Sequence, residues 1–465
     1  MARGKYQRKP SFSSSWLIMI ILLLAIIAGL LAAIYFAKED DAPAENTTGT
    51  TIVATTTEES TAAPTTEEVT EPTEEETIPV ETEPYITSTA SVGVSGDILL
   101  HIGLHASAKD GNEYDFSDMF KFIEEYYNRY DFMIANLEVP LAGADKGYSG
   151  FPLFNSPDAI ATDLKEAGVD MVLTANNHTI DKGHDGLIRT QETLMAADMQ
   201  YLGTQMNPTD LDYIVQDING IQVGMVCYTY ETGDTKSGLK TLNGNTVPKE
   251  ATDLVTSFNP NQLDEFYAEV EQTLAAMEDS GAEVTILFIH WGDEYALKPN
   301  KTQTAIAQQL CELGVDVIVG GHPHVIQPFD TLVSSTGHET YCIYSVGNAL
   351  SNQNRNSLPN TRNSEYTEDG MIFGVSFEKW SDGTVNIQEI TILPTWVNVY
   401  QGESKRLYYI MPLDIELDSW EDFGVKNLNY TYGSYERTLS IVGPGLNEFR
   451  EAAGLPLLPM EKEKP

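Results

Sequence analysis

From Ser91 onward, short runs rich in valine and isoleucine alternate with stretches of helical periodicity. That alternation restricts the chain to an α/β sheet with layered helices. Strands are predicted at Val92–Val94, Phe132–Ala135, Met171–Ala175, Val223–Tyr228, Val284–Ile289 and Val315–Val319. Helices are predicted between them, at Ser117–Tyr130, Pro157–Ala167, Leu187–Met199, Asn261–Asp279 and Thr302–Leu313. In the last of these, Ile306, Leu310 and Leu313 share one apolar face. Past Tyr341 the runs are more strand-like: Cys342–Val346, Met371–Phe377, Val385–Ile392 and Leu407–Leu413. They predict a second, partly antiparallel sheet, with a further helical pattern near Gly445–Ala453.

Five polar clusters share one position, directly after an apolar strand candidate. They are Ser95-Gly96-Asp97, Asn136-Leu137-Glu138, Asn176-Asn177-His178, His290-Trp291-Gly292-Asp293-Glu294 and Gly320-Gly321-His322-Pro323-His324. The crevice beyond the carboxyl ends of the strands is where α/β sheets bind ligands. The chain has 8 histidines, and four of them stand in these clusters. Carboxylate, carboxamide and imidazole, with no thiol, suit Mn, Zn, Fe or Mg. Pro323 excludes a helix, and an extended turn would send His322 and His324 to one side. Gly320 and Gly321 would allow close backbone approach. Glu138 could bridge two cations. Asp293 and Glu294 read as a loop pair or as partners of a ligand histidine. Tyr228 to Glu231 follow a strand end and are expected to line the pocket.

Composition narrows the partners. Lys+Arg number 27 and Asp+Glu 69, a formal charge of −42. A non-specific nucleic-acid binder needs the opposite balance. The 3 cysteines are too few for a disulfide scaffold. Cys227, Cys311 and Cys342 sit in apolar contexts and read as buried free thiols. The charge is unevenly spread. Residues 1–15 carry four basic residues and no acid, and 38–89 carry one lysine against fourteen acids, which leaves −33 from Ala90 onward. Bound cations would let such a domain accept an anionic ligand.

Residues 16–37 form an uncharged run of 22 residues. As a helix it would span ~33 Å, enough for a ~30 Å hydrocarbon core. The basic flank (1–15) puts the N-terminus in the cytoplasm and the rest outside, as a single-pass anchor in the cell membrane; the rival reading is a cleavable signal peptide, whose apolar core is usually shorter, ~7–15 residues. Thr, Glu, Pro and Ala dominate 38–89, a composition that cannot offset its ordering entropy. It reads as a disordered linker of 52 residues, reaching ~40 Å or more. The expected organisation is then a domain over 90–400 and a C-terminal extension over 401–465.

The polar clusters, in this order, resemble the CapA family of bacterial capsule and poly-γ-glutamate synthesis proteins. The resemblance rests on His290-Trp291-Gly292-Asp293-Glu294-Tyr295, Pro299, Gln303 and the run Gly314 to Gln327. It rests also on Thr174 to Asp181 with Gly183 and Gly186, and on Gly96-Asp97, Asn136-Leu137-Glu138 and Tyr344 to Asn348. It covers about residues 91–350. It implies a calcineurin-like metallophosphoesterase fold, four-layered α/β/β/α, with one or two divalent metal ions. Asp97, Glu138 and His324 would hold one metal, and Glu138, Asn177, His290 and His322 the other. His178 would be the catalytic histidine, with His101, Asn136, Asn176, Glu294 and Asn348 about the pocket. The sequence departs from the superfamily at Leu99, where that pattern has a histidine, and this puts full phosphoesterase competence in question. Two functions follow from the resemblance: a dimetal hydrolase of a phosphoester or polymer, or a non-catalytic subunit that binds poly-γ-glutamate beside a membrane synthase.

Overall fold

The computed structural model describes residues 83–233, 239–414, 425 and 428–460. The basic start, the apolar run 16–37 and most of the linker lie outside them. Among the described residues no helix is long and apolar enough to cross a membrane.

Two sheets face each other. The first contains β1 (Ile86–Leu99), β2 (Phe132–Leu137), β3 (Met171–Leu173) and β4 (Gln200–Leu202), all parallel. The second is built on β6 (Ile221–Tyr230), β8 (Val284–His290), β9 (Val317–Gly321) and β11 (Glu339–Ile343), also parallel. Its edges are β5 (Tyr213–Ile218), β7 (Ser257–Phe258) and β10 (Phe329–Val333). Val92, Val94, Ile134 and Met171 of the first sheet pack with Met225, Ile286, Phe288 and Val319 of the second in one buried core. The opposite faces bury helices, Leu104 and Ala108 of α1 (Ile102–Ala108) among the buried residues. Met133, Ala135 and Val172 meet Ile160 and Leu164 of α2 (Ala159–Glu166) and Leu194 of α3 (Gly183–Ala196). Val226, Leu287 and Ile318 meet Phe266 and Val270 of α4 (Leu263–Asp279) and Ile306 and Leu310 of α5 (Lys301–Glu312). The order is helix, sheet, sheet, helix. Strands buried on both faces explain the unbroken valine and isoleucine runs.

Several expectations need correction. The late strands do not make a separate sheet. β13 (Asp369–Trp380) pairs antiparallel with β1, and β14 (Val385–Gln401) and β15 (Arg406–Pro412) continue that same sheet. β12 (Asn348–Ser351) pairs with β1 in parallel. β1 begins at Ile86, so residues 86–89, read as linker, are strand. The segment read as a C-terminal extension supplies β15 and α6 (Leu428–Ala452), whose Val442, Leu446 and Phe449 enter the core between the sheets. The helix expected over 117–130 is two single turns, Ser117–Phe120 and Glu124–Tyr127, because packing of Phe120, Ile123 and Tyr127 overrides local propensity.

Candidate metal centre

Three clusters leave the first sheet and two leave the second. The strand ends that carry them therefore meet across the sandwich as well as side by side. β1 and β2 pair so that Asp97 lies opposite Asn136. β8 and β9 pair so that His290 lies opposite Gly321. Gly96 brings β1 against the turn at Gly347, where a Cβ would stand 2.0 Å from the Gly347 carbonyl oxygen, and the Asp97 amide donates to that oxygen at 3.0 Å. A Cβ at Gly320 would likewise stand 2.0 Å from the Tyr344 carbonyl oxygen. Both glycines thus permit the approach that sets the ligands.

The loops after β8 and β9 hold each other. The Trp291 amide donates to Gly321, and its indole to the Tyr344 carbonyl at 2.9 Å. Asn300 and Gln303 form a capping box on α5, and Gln303 Nε2 donates to Gln327 at 2.9 Å. The turn between His322 and His324 is not extended. His322 has φ +95° and His324 φ +56°, a left-handed backbone costly for residues with a Cβ. The two rings still share a pocket, with centroids 6.0 Å apart.

Asp97, Glu138, Asn177, His178, His290, His322 and His324 are all buried. Ligand atoms of Glu138, His290 and His322 lie within 4.8 Å of one another, and so do those of Asp97, Glu138 and His324. Glu138 belongs to both groups. His290 Nε2 is 3.4 Å and His324 Nε2 3.9 Å from Glu138 Oε1, yet neither carboxylate oxygen makes a hydrogen bond. Asn177 Oδ1 is 3.0 Å from His290 Nε2. His322 Nδ1 is buried without a partner, while its Nε2 meets the Tyr230 hydroxyl at 3.1 Å. Buried charge is ordinarily paired or bound to metal. Oxygen and imidazole donors left open at short range fit a divalent cation.

The Asp97 side is more fully bonded. Asn136 Nδ2 donates to Asp97 Oδ1 at 2.8 Å, and Asn176 Nδ2 reaches the Asn136 oxygen at 3.3 Å. His324 Nδ1 lies 3.1 Å from both Asp97 Oδ2 and Asn348 Oδ1. Two acceptors there place the proton on Nδ1 and leave Nε2 facing Glu138. Burial opposes charge on His324, but the Glu138 and Asp97 carboxylates outweigh it and raise its pKa to about 9. Burial likewise opposes charge on Asp97, and the His324 bond reverses this, so that carboxyl lies below its usual value. Burial, with His290 and His324 nearby, holds His322 well below an ordinary imidazole.

His178 Nδ1 is 2.8 Å from Asp181 Oδ2, and its amide donates to Asn176 Oδ1. Its ring stands edge-on to Phe154 at 4.7 Å. Glu294 is exposed at the rim. His101 is tied to the Leu99 carbonyl at 3.1 Å and edge-on to Phe154; burial lowers its pKa to about 4. It is not one of the residues within metal-ligand range of a shared point. Leu99 packs into the helix-facing core of the first sheet, away from the ligands. Of the run 228–231, Tyr230 lines the site, whereas Tyr228 turns to the other face against Phe266. Sequence reasoning assigned no role to Asp181 or to Tyr230 as a partner of His322; the i, i+3 spacing of His178 and Asp181 was the available signal. The three cysteines are buried and free.

The family model for "Bacterial capsule synthesis protein PGA_cap" matches residues 91–353. The chain belongs to this family. Among curated relatives, the Bacillus anthracis "Capsule biosynthesis protein CapA" is 29% identical over 265 residues, 56% of this chain and 59% of that protein. The Bacillus subtilis (strain 168) "PGA biosynthesis protein CapA" is 24% identical over 241 residues, 50% of this chain and 57% of that protein. The alignments thus span under two thirds of either relative. Among solved structures, Haemophilus influenzae NAD nucleotidase (NadN) aligns over 79% of this chain and 67% of that one at TM-score 0.40 and 12% identity; that similarity carries no weight for function. The PGA_cap match contains every residue assigned to the candidate centre, and β13, β14, β15 and α6 lie beyond it.

Proposed function

We propose that this PGA_cap protein acts in capsule or poly-γ-glutamate synthesis or export as a dimetal hydrolase of a phosphoester or polymer. It would work outside the cell, anchored through residues 16–37 and spaced from the membrane by the linker. The observation that carries the reading is Glu138: fully buried, with no hydrogen bond to either oxygen, and shared by two ligand groups. The names of the two Bacillus relatives support the biological setting.

Asp97, Glu138 and His324 would hold one cation, and Glu138, Asn177, His290 and His322 a second. Mn, Zn, Fe and Mg all accept such donors. When bound, the cations supply Lewis acidity and the positive charge an anionic substrate needs. Asp181 fixes His178 through Nδ1, so Nε2 is the nitrogen that exchanges a proton with the leaving oxygen. Phe154 keeps water from one side of that ring.

The test uses the full-length chain loaded with manganese and a generic phosphoester. Turnover is expected, with His178→Ala lowering it by ~10²–10⁴ at unchanged metal content. Metal bound without turnover, for any divalent ion tried, would remove the hydrolase reading. Leu99 favours a second reading, a non-catalytic subunit that binds poly-γ-glutamate beside a synthase. That position puts no imidazole in the site.

A further inference from the structure

Close in sequence to His101 and Phe154, whose rings line up with His178, apolar side chains are exposed and form a lip. Phe151 is 72% exposed, Ile102 60% and Leu153 41%. They belong to two segments in direct contact, since a Cβ at Gly150 would stand 2.9 Å from the Ile102 amide nitrogen. This loop is firmly held. Ser149 and Asn155 exchange backbone hydrogen bonds at 3.0 Å. Asn155 Nδ2 donates to the Gly143 and Gly147 carbonyls, and Lys182 Nζ to Leu153 O. Tyr148 packs on the rings of His105 and Tyr114. A well-anchored loop that keeps large apolar side chains in water marks a binding surface.

One oxygen connects this loop to the chemistry. Asp181 Oδ2 accepts from the Phe154 amide at 2.7 Å and also meets His178 Nδ1 at 2.8 Å. His101, Phe154 and His178 then stand in a row, edge to face, at 5.3 and 4.7 Å. Ile102 and Leu153 are the immediate chain neighbours of two members of that row. Elsewhere the rim carries the exposed acids Asp293 and Glu294, which repel a leaving group that is itself anionic.

We infer that Ile102, Phe151 and Leu153 bind the apolar part of the substrate's leaving group, so that the preferred substrate is a phosphoester of an apolar alcohol. The inference rests on the hydrolase reading for the term "leaving group". The lip is shaped by its own residues and can be tested by binding alone.

Water-soluble monoalkyl phosphates serve as probes: methyl, butyl and hexyl phosphate, titrated by calorimetry into the full-length manganese-loaded chain. At roughly 0.8 kcal/mol per fully buried methylene, a half-covering lip gives hexyl over methyl phosphate a preference of about tenfold or more. The double variant Phe151→Ser/Leu153→Ser reduces that ratio to below about threefold. Val333→Ser, at the far end of β10 and intermediate in exposure between Phe151 and Leu153, keeps it. Equal affinity for the three phosphates in the unmodified chain, or a ratio unchanged in the double variant, overturns the inference even where turnover is observed. A ratio that behaves as expected in a chain without turnover keeps the lip and removes only the hydrolase reading.

Discussion

The two halves of the candidate centre use the same residue types and differ in how far those residues are already committed. On the Asp97 side, Asn136 and His324 bind the carboxylate and Asn348 binds His324. On the His290 side, His322 Nδ1 is unpartnered. A cation on the Asp97 side must displace bonds the protein already makes. A cation on the other side displaces one contact, Asn177 Oδ1 to His290 Nε2 at 3.0 Å, but relieves the buried His322 Nδ1 that lacks a partner, and removal of that penalty adds to affinity. The halves should therefore fill unequally, with the His290 side first. Leu99, on the strand that carries Asp97, packs into the core and offers that side no further ligand.

The largest effect should come from the residue common to both halves. Glu138→Gln is expected to lower affinity for both cations by at least about a hundredfold, read by metal analysis. Loss of one cation with retention of the other would mean that the halves do not share Glu138.

Arg437→Met should act on one half. Arg437 pairs with buried Asp369 through two bonds of 2.6 Å. The adjoining Gly370 bridges to Gly347, whose carbonyl receives the Asp97 amide. Unpairing Asp369 should cost about 3–5 kcal/mol in unfolding experiments and weaken the Asp97-side cation while sparing the other. Leu99→His should cost ~2–4 kcal/mol by placing a polar ring in a packed core. It should add no metal affinity; a gain would show that the strand can turn that side chain toward the site.

A smaller effect concerns pH. Burial lowers His105, on the helix Ile102–Ala108 that follows β1, to about 4. A histidine with a depressed folded pKa takes up its proton more readily when unfolded. Stability is thus intact above pH 6.5 and falls as pH drops from 6.5 toward 4, by up to about 3 kcal/mol. His105→Gln should flatten part of that slope in denaturant titrations at several pH values, the similarly buried His101 keeping the rest. An unchanged slope would assign acid sensitivity to other groups.

Much of this was legible beforehand, for identifiable reasons. β2, β3, β6, β8 and β9 are buried on both faces, so their sequences are continuous apolar runs, and the polar residue that ends each run stands out. β5 and β10 escaped because edge strands alternate partly exposed residues, as in Phe329-Asp330-Thr331-Leu332-Val333. That two sheets share the site was not legible, since periodicity does not reveal which strands pair. The left-handed backbone at His322 and His324 was hidden as well; nothing local demands it of a histidine. The Asp181 contact with both His178 and Phe154 depends on a loop about 27 residues upstream, beyond the reach of any motif.

Manganese titration of the full-length metal-free chain, followed by calorimetry, separates these ideas most cleanly. Two binding steps of unequal affinity are expected, the tighter one lost in His290→Ala and kept in Asp97→Asn. A single step, no binding, or loss of the tighter step in Asp97→Asn instead would contradict the assignment of an open and a committed half around Glu138.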